Sequence, residues 1–281
     1  MNSMKSKIFA AFLSFVMVFA CAPALSSHAD GGAPCGDNVK YKIDGKTITI
    51  FGKGAMWNYC HPSNYDEEAT VKPAPWLNDG NDTFYDKYEK IVIEEGVTYV
   101  GEYAFAECYK VTSVKIASSV TSIGEGAFYD CSSLGSISLP GKVKTIGYRA
   151  FYNTAITSLF IPNSVTTIGQ EAFSCCKKLT SVTGGKGLKK ISAGAFSRCN
   201  VLKTFKIVSK KLNKIGSSVF YADKQLKTLY LKKTTKLTKK GVKKSLRGSS
   251  VKKIKVKKSK IRKYRKIFKK SNSGRKVKVT K

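Results

Sequence analysis

A single phenylalanine recurs along the middle of the chain at an almost constant interval, and this repeat constrains the fold more than any other feature. The interval is 22 to 24 residues, a branched aliphatic residue stands five positions earlier, and alanine stands directly before the ring in five of six copies. The six residues are Phe105, Phe128, Phe151, Phe173, Phe196 and Phe220. Such a period, with one short strand per unit, is typical of a solenoid whose coils bury their apolar faces only against each other.

Each copy carries two further signals. Glycine follows the branched aliphatic residue in five of six copies, as in Ile123-Gly124, and predicts a tight turn. After the phenylalanine comes the spacing apolar-x-x-apolar-x-apolar, as in Leu202, Phe205 and Ile207, which predicts a strand with one buried face. The chain is therefore predicted to be an α/β repeat solenoid with about six clear coils over residues 90–231.

Two of these copies, Val120–Cys131 and Val165–Cys176, resemble the repeats of the BspA-like leucine-rich repeat family of bacterial secreted and surface proteins. The resemblance covers residues 90–231 and extends more weakly through residues 41–56 and 74–76. It implies a leucine-rich repeat arc used for adhesion and protein binding. Because the family motif is structural, the resemblance carries over no catalytic residues.

Residues 30–89 lack the repeat and are predicted to form an N-terminal cap. Tyr41–Ile43 and Lys46–Phe51 flank an Asp-Gly pair and predict a β-hairpin. Trp57 and Trp76 are expected to seal the first coil.

Residues 232–281 are predicted to form degenerate coils and a basic C-terminal cap. The strand spacing returns at Val251, Ile254 and Val256. A basic helix is expected after it, since apolar side chains recur there at helical spacing. Those side chains are Ile261, Tyr264 and Phe268.

The first 29 residues are typical of a secretory signal. Two lysines precede a thirteen-residue apolar run, Ile8–Ala20, which is too short to cross a bilayer. Cleavage is expected before Asp30, with Ala22–Ala24 as a second choice, while lipidation of Cys21 remains open. The mature chain is expected to be secreted, in association with the cell surface or free of it, and to have no transmembrane segment.

Charge is distributed unevenly along the chain. The formal net charge is +33, and residues 232–281 hold 24 basic and no acidic side chains. This region is expected to bind an anionic wall or host polymer, whereas the alternative is a lysine-rich surface that only aids solubility. The basic residues expected to contact a polyanion are Lys257, Lys258, Lys260, Arg262, Lys263, Arg265, Lys266, Lys269 and Lys270.

The residues between the apolar strand positions point outward and are predicted to form a continuous surface, because neighbouring strands lie about 4.8 Å apart. This surface is small and polar in the early coils and basic in the late ones. Exposed aromatic residues within it are candidates for partner contacts. The binding candidates are Lys115, Phe160, Lys206, Tyr230, Lys253 and Lys255.

Four cysteines recur three residues after the repeat phenylalanine and are expected to be small buried residues rather than metal ligands or disulfide partners. They are Cys108, Cys131, Cys176 and Cys199. Cys35 and Cys60 in the predicted cap are candidates for a disulfide in an exported protein. The polar run Asn78–Asp82 lacks the glutamate of a calcium-binding EF-hand loop and is read as a surface turn.

No enzyme is expected, and no cofactor or metal. The only histidines are His28, in the predicted signal, and His61, next to Cys60. Adjacent residues rarely face each other as a nucleophile and its base. The expected function is a bacterial binding or adhesion protein that recognises a protein or glycan. Two alternatives remain: a protein that binds polyanions only, and an exported hydrolase with residues near His61. The oligomeric state stays open.

Overall fold

The computed structural model describes residues 32–62, 70–77, 86–234 and 236–281. Within them the chain winds through short strands in a solenoid of about eight coils, with α-helices only near the C-terminal end. The predicted signal segment lies outside the described residues. The strands are β1 (Ala33–Pro34), β2 (Val39–Asp44), β3 (Thr47–Gly52), β4 (Gly54–Ala55), β5 (Lys90–Ile93), β6 (Val97–Val100), β7 (Ser113–Ile116), β8 (Ser122–Ile123), β9 (Thr145–Ile146), β10 (Ser158–Ile161), β11 (Thr167–Ile168), β12 (Ser181–Gly184), β13 (Lys190–Ile191), β14 (Thr204–Ile207), β15 (Lys214–Ile215), β16 (Thr228–Tyr230), β17 (Lys253–Lys255) and β18 (Lys278–Thr280).

Two sides of the solenoid are sheets. The long-strand side consists of one sheet in the order β1-β2-β3-β5-β7 and another in the order β10-β12-β14-β16-β17-β18. The short-strand side is a single sheet in the order β4-β6-β8-β9-β11-β13-β15. Strands of successive coils pair in parallel, so that equivalent residues of each repeat lie beside one another. Residues that are one repeat apart in the sequence are therefore partners on adjacent strands.

Stacked phenylalanine rings fill the interior. From Phe105 to Phe196 the ring centroids of successive coils are 5.2 to 5.4 Å apart, and the rings are nearly parallel. The step from Phe196 to Phe220 widens to 6.5 Å because Phe205 packs edge-on against both rings. All of these side chains are fully buried. The predicted role of the repeat phenylalanine as the core residue is confirmed.

The third side, which we call the turn side, comprises the residues from three before to two after each repeat phenylalanine. Backbone bonds join the coils here too: the N–H of Phe105 donates to the carbonyl of Ala127, and that of Phe128 to Ala150. In six successive coils the second residue before and the second residue after the phenylalanine have a left-handed φ of 48° to 61°. Non-glycine residues fill most of these positions, which are sterically unfavourable.

The repeat glycines serve close packing and not the turn that the sequence analysis predicted for them. Gly147 and Gly169 have ordinary φ values, but a Cβ on Gly169 would stand 2.3 Å from the carbonyl oxygen of Gly147. A Cβ on Gly147 would likewise stand 2.5 Å from the backbone of Gly124. Adjacent coils therefore touch here, and Gly147 and Gly169 leave no room for a Cβ.

The four recurrent cysteines are buried, as predicted, and three of them bond through the thiol to a neighbouring coil. The thiols of Cys131 and Cys176 lie 3.1 and 3.2 Å from the carbonyl oxygens of Phe105 and Phe151. In the last clear coil this position is taken by Asp223, which is fully buried. Its Oδ1 accepts the backbone N–H of Cys199 at 2.8 Å, while its Oδ2 has no partner among the described residues. Burial raises the pKa of the Asp223 carboxyl to about 9.

The N-terminal hairpin is confirmed, with a small shift. β2 and β3 pair antiparallel, with Val39 opposite Gly52 at one end and Asp44 opposite Thr47 at the other. The two turn residues are therefore Gly45 and Lys46. The Trp76 ring, 5.3 Å from Phe105, ends the phenylalanine stack, and its Nε1 donates to the carbonyl of Ala104 at 2.7 Å.

The disulfide suggested for Cys35 and Cys60 is not formed in the structure, where both are free thiols. The ring of Tyr59 points inward, and its hydroxyl donates to the carbonyl of Cys35 at 3.3 Å. In an extended segment the next side chain points the other way, so Cys60 turns towards the surface while Cys35 stays fully buried.

The C-terminal region continues the solenoid and then covers its end. β17 and β18 extend the parallel sheet, and helix α1 (Ile261–Ile267) and the short α2 (Lys270–Ser273) lie between them. Tyr264 is fully buried and its hydroxyl donates to the carbonyl of Thr234 at 2.9 Å. The predicted basic helix with one apolar face is confirmed. In the described part of the chain, no helix is long and apolar enough to cross a membrane.

The phenylalanine stack generates a first prediction. Phe151→Ala removes a ring packed between two others and is expected to lower the free energy of unfolding by about 3–5 kcal/mol in denaturant titrations. The matched control is Phe160→Ala, since Phe160 is 63% exposed. That variant is expected to stay within about 0.5 kcal/mol of the wild type. Equal losses in the two variants would contradict the ring-stacked core.

The buried carboxyl generates a second prediction. In the unfolded chain the Asp223 carboxyl loses its proton at about pH 4, whereas in the native state it keeps the proton up to about pH 9. The free energy of unfolding therefore falls as the pH rises across that interval. Asp223→Asn cannot titrate, so its stability relative to the wild type is expected to rise steadily between these pH values. Urea titrations at both ends of the interval measure the difference. The exposed Asp44→Asn serves as control, and a pH-independent difference for Asp223→Asn would disprove the assignment.

Candidate binding surface

The second sheet of the long-strand side presents one outward row that contains most of the predicted binding residues. Five parallel pairings make this row, in which each residue lies beside the next on the neighbouring strand. The order is Phe160, Thr183, Lys206, Tyr230, Lys255 and Thr280. The row follows from the strand alternation, because Leu159, Val182 and Phe205 between these positions point into the core. The structure therefore places Phe160, Lys206, Tyr230 and Lys255 on one surface, which we call the aromatic–lysine row.

Phe160 begins this row and is the most exposed large apolar side chain among the described residues, at 63%. It is held by a regular strand, β10, with fully or nearly fully buried neighbours at Leu159 and Ile161. A rigid exposed aromatic ring loses little conformational entropy when it is covered by a partner.

The end of the sheet that contains β17 and β18 is densely basic, both in the aromatic–lysine row and in the outward row beside it. Lys253 lies directly beside Lys278 in the parallel register, and Lys255 lies beside Tyr230 with its Nζ 5.7 Å from the ring centroid. Lys278 was missed by the sequence analysis, although the strand-like Val277-Lys278-Val279 pattern already implied that its side chain points outward. Like charges at neighbouring strand positions repel each other, and an anionic ligand relieves that repulsion.

The predicted continuous surface is wrong in one coil. Residues 135–139 form no strand, and the long-strand side is divided between β7 and β10. In neighbouring coils Thr112, Thr157 and Thr180 bond through their hydroxyls to the carbonyl of the preceding coil. Gly135 occupies the same position, and a glycine without a side chain weakens a strand. Lys115 consequently lies on the other sheet, beside Val92, and apart from the aromatic–lysine row.

The predicted polyanion-binding residues surround the terminal helices. All except Lys260, which is partly buried, have exposed side chains. Arg262 and Lys263 lie on the outer face of α1, opposite the buried Tyr264 and Ile267. The folded C-terminal region therefore holds these charges at fixed positions on a helical cap and does not leave them on a loose tail.

Among the described residues, His61 contacts one acidic and two aromatic side chains. His61 Nε2 lies 3.4 Å from Glu107 Oε1, and the imidazole ring contacts Tyr103 and Tyr129 edge-on. Burial raises the pKa of the neighbouring Cys60 thiol, which disfavours the thiolate that a cysteine nucleophile needs. Among the described residues, no group of three or more histidine, cysteine, aspartate or glutamate side chains could hold a metal ion.

Comparison with solved structures finds bacterial leucine-rich repeat proteins. The leucine-rich repeat protein of T. pallidum is 26% identical, with 69% of this chain and 90% of that chain covered and a TM-score of 0.48. A leucine-rich cell surface protein of Faecalibacterium prausnitzii is 17% identical, with 88% and 93% covered and a TM-score of 0.32. The pneumococcal vaccine antigen PcpA is 15% identical, with 79% and 80% covered and a TM-score of 0.32.

No curated protein matches the chain. The comparison with protein families, in contrast, finds six copies of the BspA type leucine-rich repeat region, over residues 80–167 and 144–274. These ranges contain all six stacked phenylalanines and the first strand of the C-terminal region, β17. The chain belongs to the BspA-type leucine-rich repeat family.

Proposed function

We propose that this is a secreted or surface-retained bacterial binding protein. The aromatic–lysine row recognises a protein or glycan partner, and the basic C-terminal region retains the molecule on an anionic surface. The observation that carries the proposal is the parallel register that sets Phe160 and Tyr230 in one row with Lys206 and Lys255. Export rests on the signal-like first 29 residues.

The electrostatic part of the proposal rests on numbers of charges. Each lysine near an anionic surface contributes on the order of 1 kcal/mol, so a few contacts suffice for retention. Residues 232–281 contain 24 basic side chains and no acidic one to neutralise them. The same region provides β17 and β18 of the row, so retention and recognition lie on adjacent surfaces.

The role of the lysines is tested with point substitutions, because removing residues 232–281 would also uncover the end of the core. The triple variant Lys253→Gln, Lys255→Gln and Lys278→Gln is expected to weaken binding to polyphosphate. It is also expected to reduce the slope of log affinity against log salt by about one per lysine. Binding is measured by titration calorimetry across a salt series.

The matched control removes three charges elsewhere. Lys190 and Lys214 lie side by side on the short-strand side, as Lys253 and Lys278 do on the long-strand side, and Lys142 is exposed. Their replacement by glutamine is expected to change the affinity for polyphosphate only slightly. If both triple variants lose the same affinity, net charge alone drives the binding and the lysines of β17 and β18 have no special role.

The role of the aromatic residue is tested at high salt, where electrostatic binding is weak. Phe160→Ala is expected to lower the binding of the fluorescently labelled protein to bacterial or host cells at least tenfold, because an aromatic anchor at an interface contributes about 2 kcal/mol or more. Ile43→Ala is the control, since Ile43 is also an exposed apolar residue but lies in the hairpin. If Phe160→Ala binds like the wild type while the lysine variant fails to bind, the function is polyanion binding only.

A further inference from the structure

The turn side contains a groove that lies on a different side of the solenoid from the aromatic–lysine row. The residue directly after the repeat phenylalanine is tyrosine at Tyr129 and Tyr152, serine at Ser174 and Ser197, and tyrosine again at Tyr221. Tyr129 and Tyr152 stack with ring centroids 5.0 Å apart. The two serines therefore interrupt an aromatic ladder for two coils, and the space left between Tyr152 and Tyr221 is a groove of about 350 Å³.

The wall of this groove at Tyr152 is a fixed arginine. Arg149 Nε donates to Glu171 Oε2 at 2.7 Å, and the guanidinium lies over the rings of Tyr148 and Tyr152, with its carbon 4.8 and 5.4 Å from their centroids. Glu171, the one acidic side chain that lines the groove, is thus neutralised by its neighbour. Arg149 keeps further N–H donors, since this bond uses only one of five.

The opposite wall offers an aromatic ring and a second arginine. Tyr221 is 46% exposed, and its ring packs over Gly248, where a Cβ would stand 2.1 Å from the ring. Arg198 is exposed, and in the described part of the chain its guanidinium makes no hydrogen bond or ion pair. With two arginines and one glutamate the groove carries a net positive charge.

Serine hydroxyls form the floor. Ser174 Oγ and Ser197 Oγ lie 2.8 Å apart, and further hydroxyls come from Ser217 and Ser218. A hydroxyl both donates and accepts, so such a floor suits a ligand that itself carries several hydroxyl groups. The volume is at the small end of the range for ligand pockets, which is about 300–1,000 Å³, and fits a single six-membered ring better than a peptide segment.

We propose that this groove binds a carboxylated sugar ring, such as one unit of a uronic acid polysaccharide. The planar fork of Arg198 matches a carboxylate with two parallel hydrogen bonds. The Tyr221 ring covers the apolar face of the sugar, and the serine hydroxyls bind its hydroxyl groups. A neutral sugar would leave Arg198 without a partner, and a bare phosphate would leave Tyr221 without one. The site is separate from the aromatic–lysine row, so either can fail without the other.

The probe is the methyl glycoside of glucuronic acid, whose single charge binds lysine-rich surfaces only weakly. Saturation-transfer NMR detects contact, and titration of the tyrosine ring signals gives the affinity. The wild-type protein is expected to bind this glycoside at least tenfold more tightly than neutral methyl glucoside. The Lys253→Gln, Lys255→Gln, Lys278→Gln variant is expected to bind it like the wild type, which separates this site from the proposed function.

Two variants test the site without endangering the fold. Arg198 has a left-handed φ of 60°, so Arg198→Gly removes the guanidinium and relieves the backbone at once. It is expected to weaken binding about tenfold or more with an unchanged or higher melting temperature. Ser197→Tyr restores the ring found at Tyr152 and Tyr221 and is expected to abolish binding by filling the groove.

The control is Lys142→Ala, which removes an exposed charge outside the groove and is expected to leave binding unchanged. Full binding by Ser197→Tyr would overturn the proposal, because the groove would then not be the site. Competition by inorganic phosphate at the affinity of the glucuronide would also overturn it, because the site would then recognise an anion and not a sugar ring.

Discussion

Every coil of this protein is stable only because it touches the next one. Each repeat phenylalanine from Phe105 to Phe196 lies between two other aromatic rings. Backbone hydrogen bonds join successive coils on the long-strand, short-strand and turn sides. No coil could bury its own ring, so stability accumulates along the stack. The two ends must then be closed, which Trp76 does at one end and α1 with Tyr264 at the other.

This arrangement separates the residues that stabilise the fold from the residues that are available for contact with a partner. Inward strand positions such as Leu159 and Val182 are buried in each coil, whereas the positions between them contact mostly solvent. Substitutions at those outward positions change stability little. A chain of this kind can therefore have a strongly basic C-terminal region, because the charged side chains lie on the surface and not in the core.

Much of the scaffold was predictable from particular residues. The spacing of the phenylalanines and aliphatic residues identified the coils, the cysteine positions identified a buried slot, and the Val251–Val256 pattern identified a strand beyond the clear repeats. The glycine after the aliphatic residue was recognised but explained wrongly, since Gly147 and Gly169 are required by contact between coils and not by a turn. The contact that requires each glycine is with a residue 22 or 23 positions earlier in the sequence.

The sequence by itself determined the coil length, the inward and outward faces of each strand and the concentration of positive charge at one end, because these properties repeat or add up along the chain. Only the tertiary structure decided the features that depend on single departures from the repeat. Gly135 divides the long-strand side, Tyr59 keeps Cys35 away from Cys60, and two serines between tyrosines open a groove beside Arg198. Each of these depends on which residues the fold brings next to each other, and the sequence pattern around any one of them does not encode that proximity.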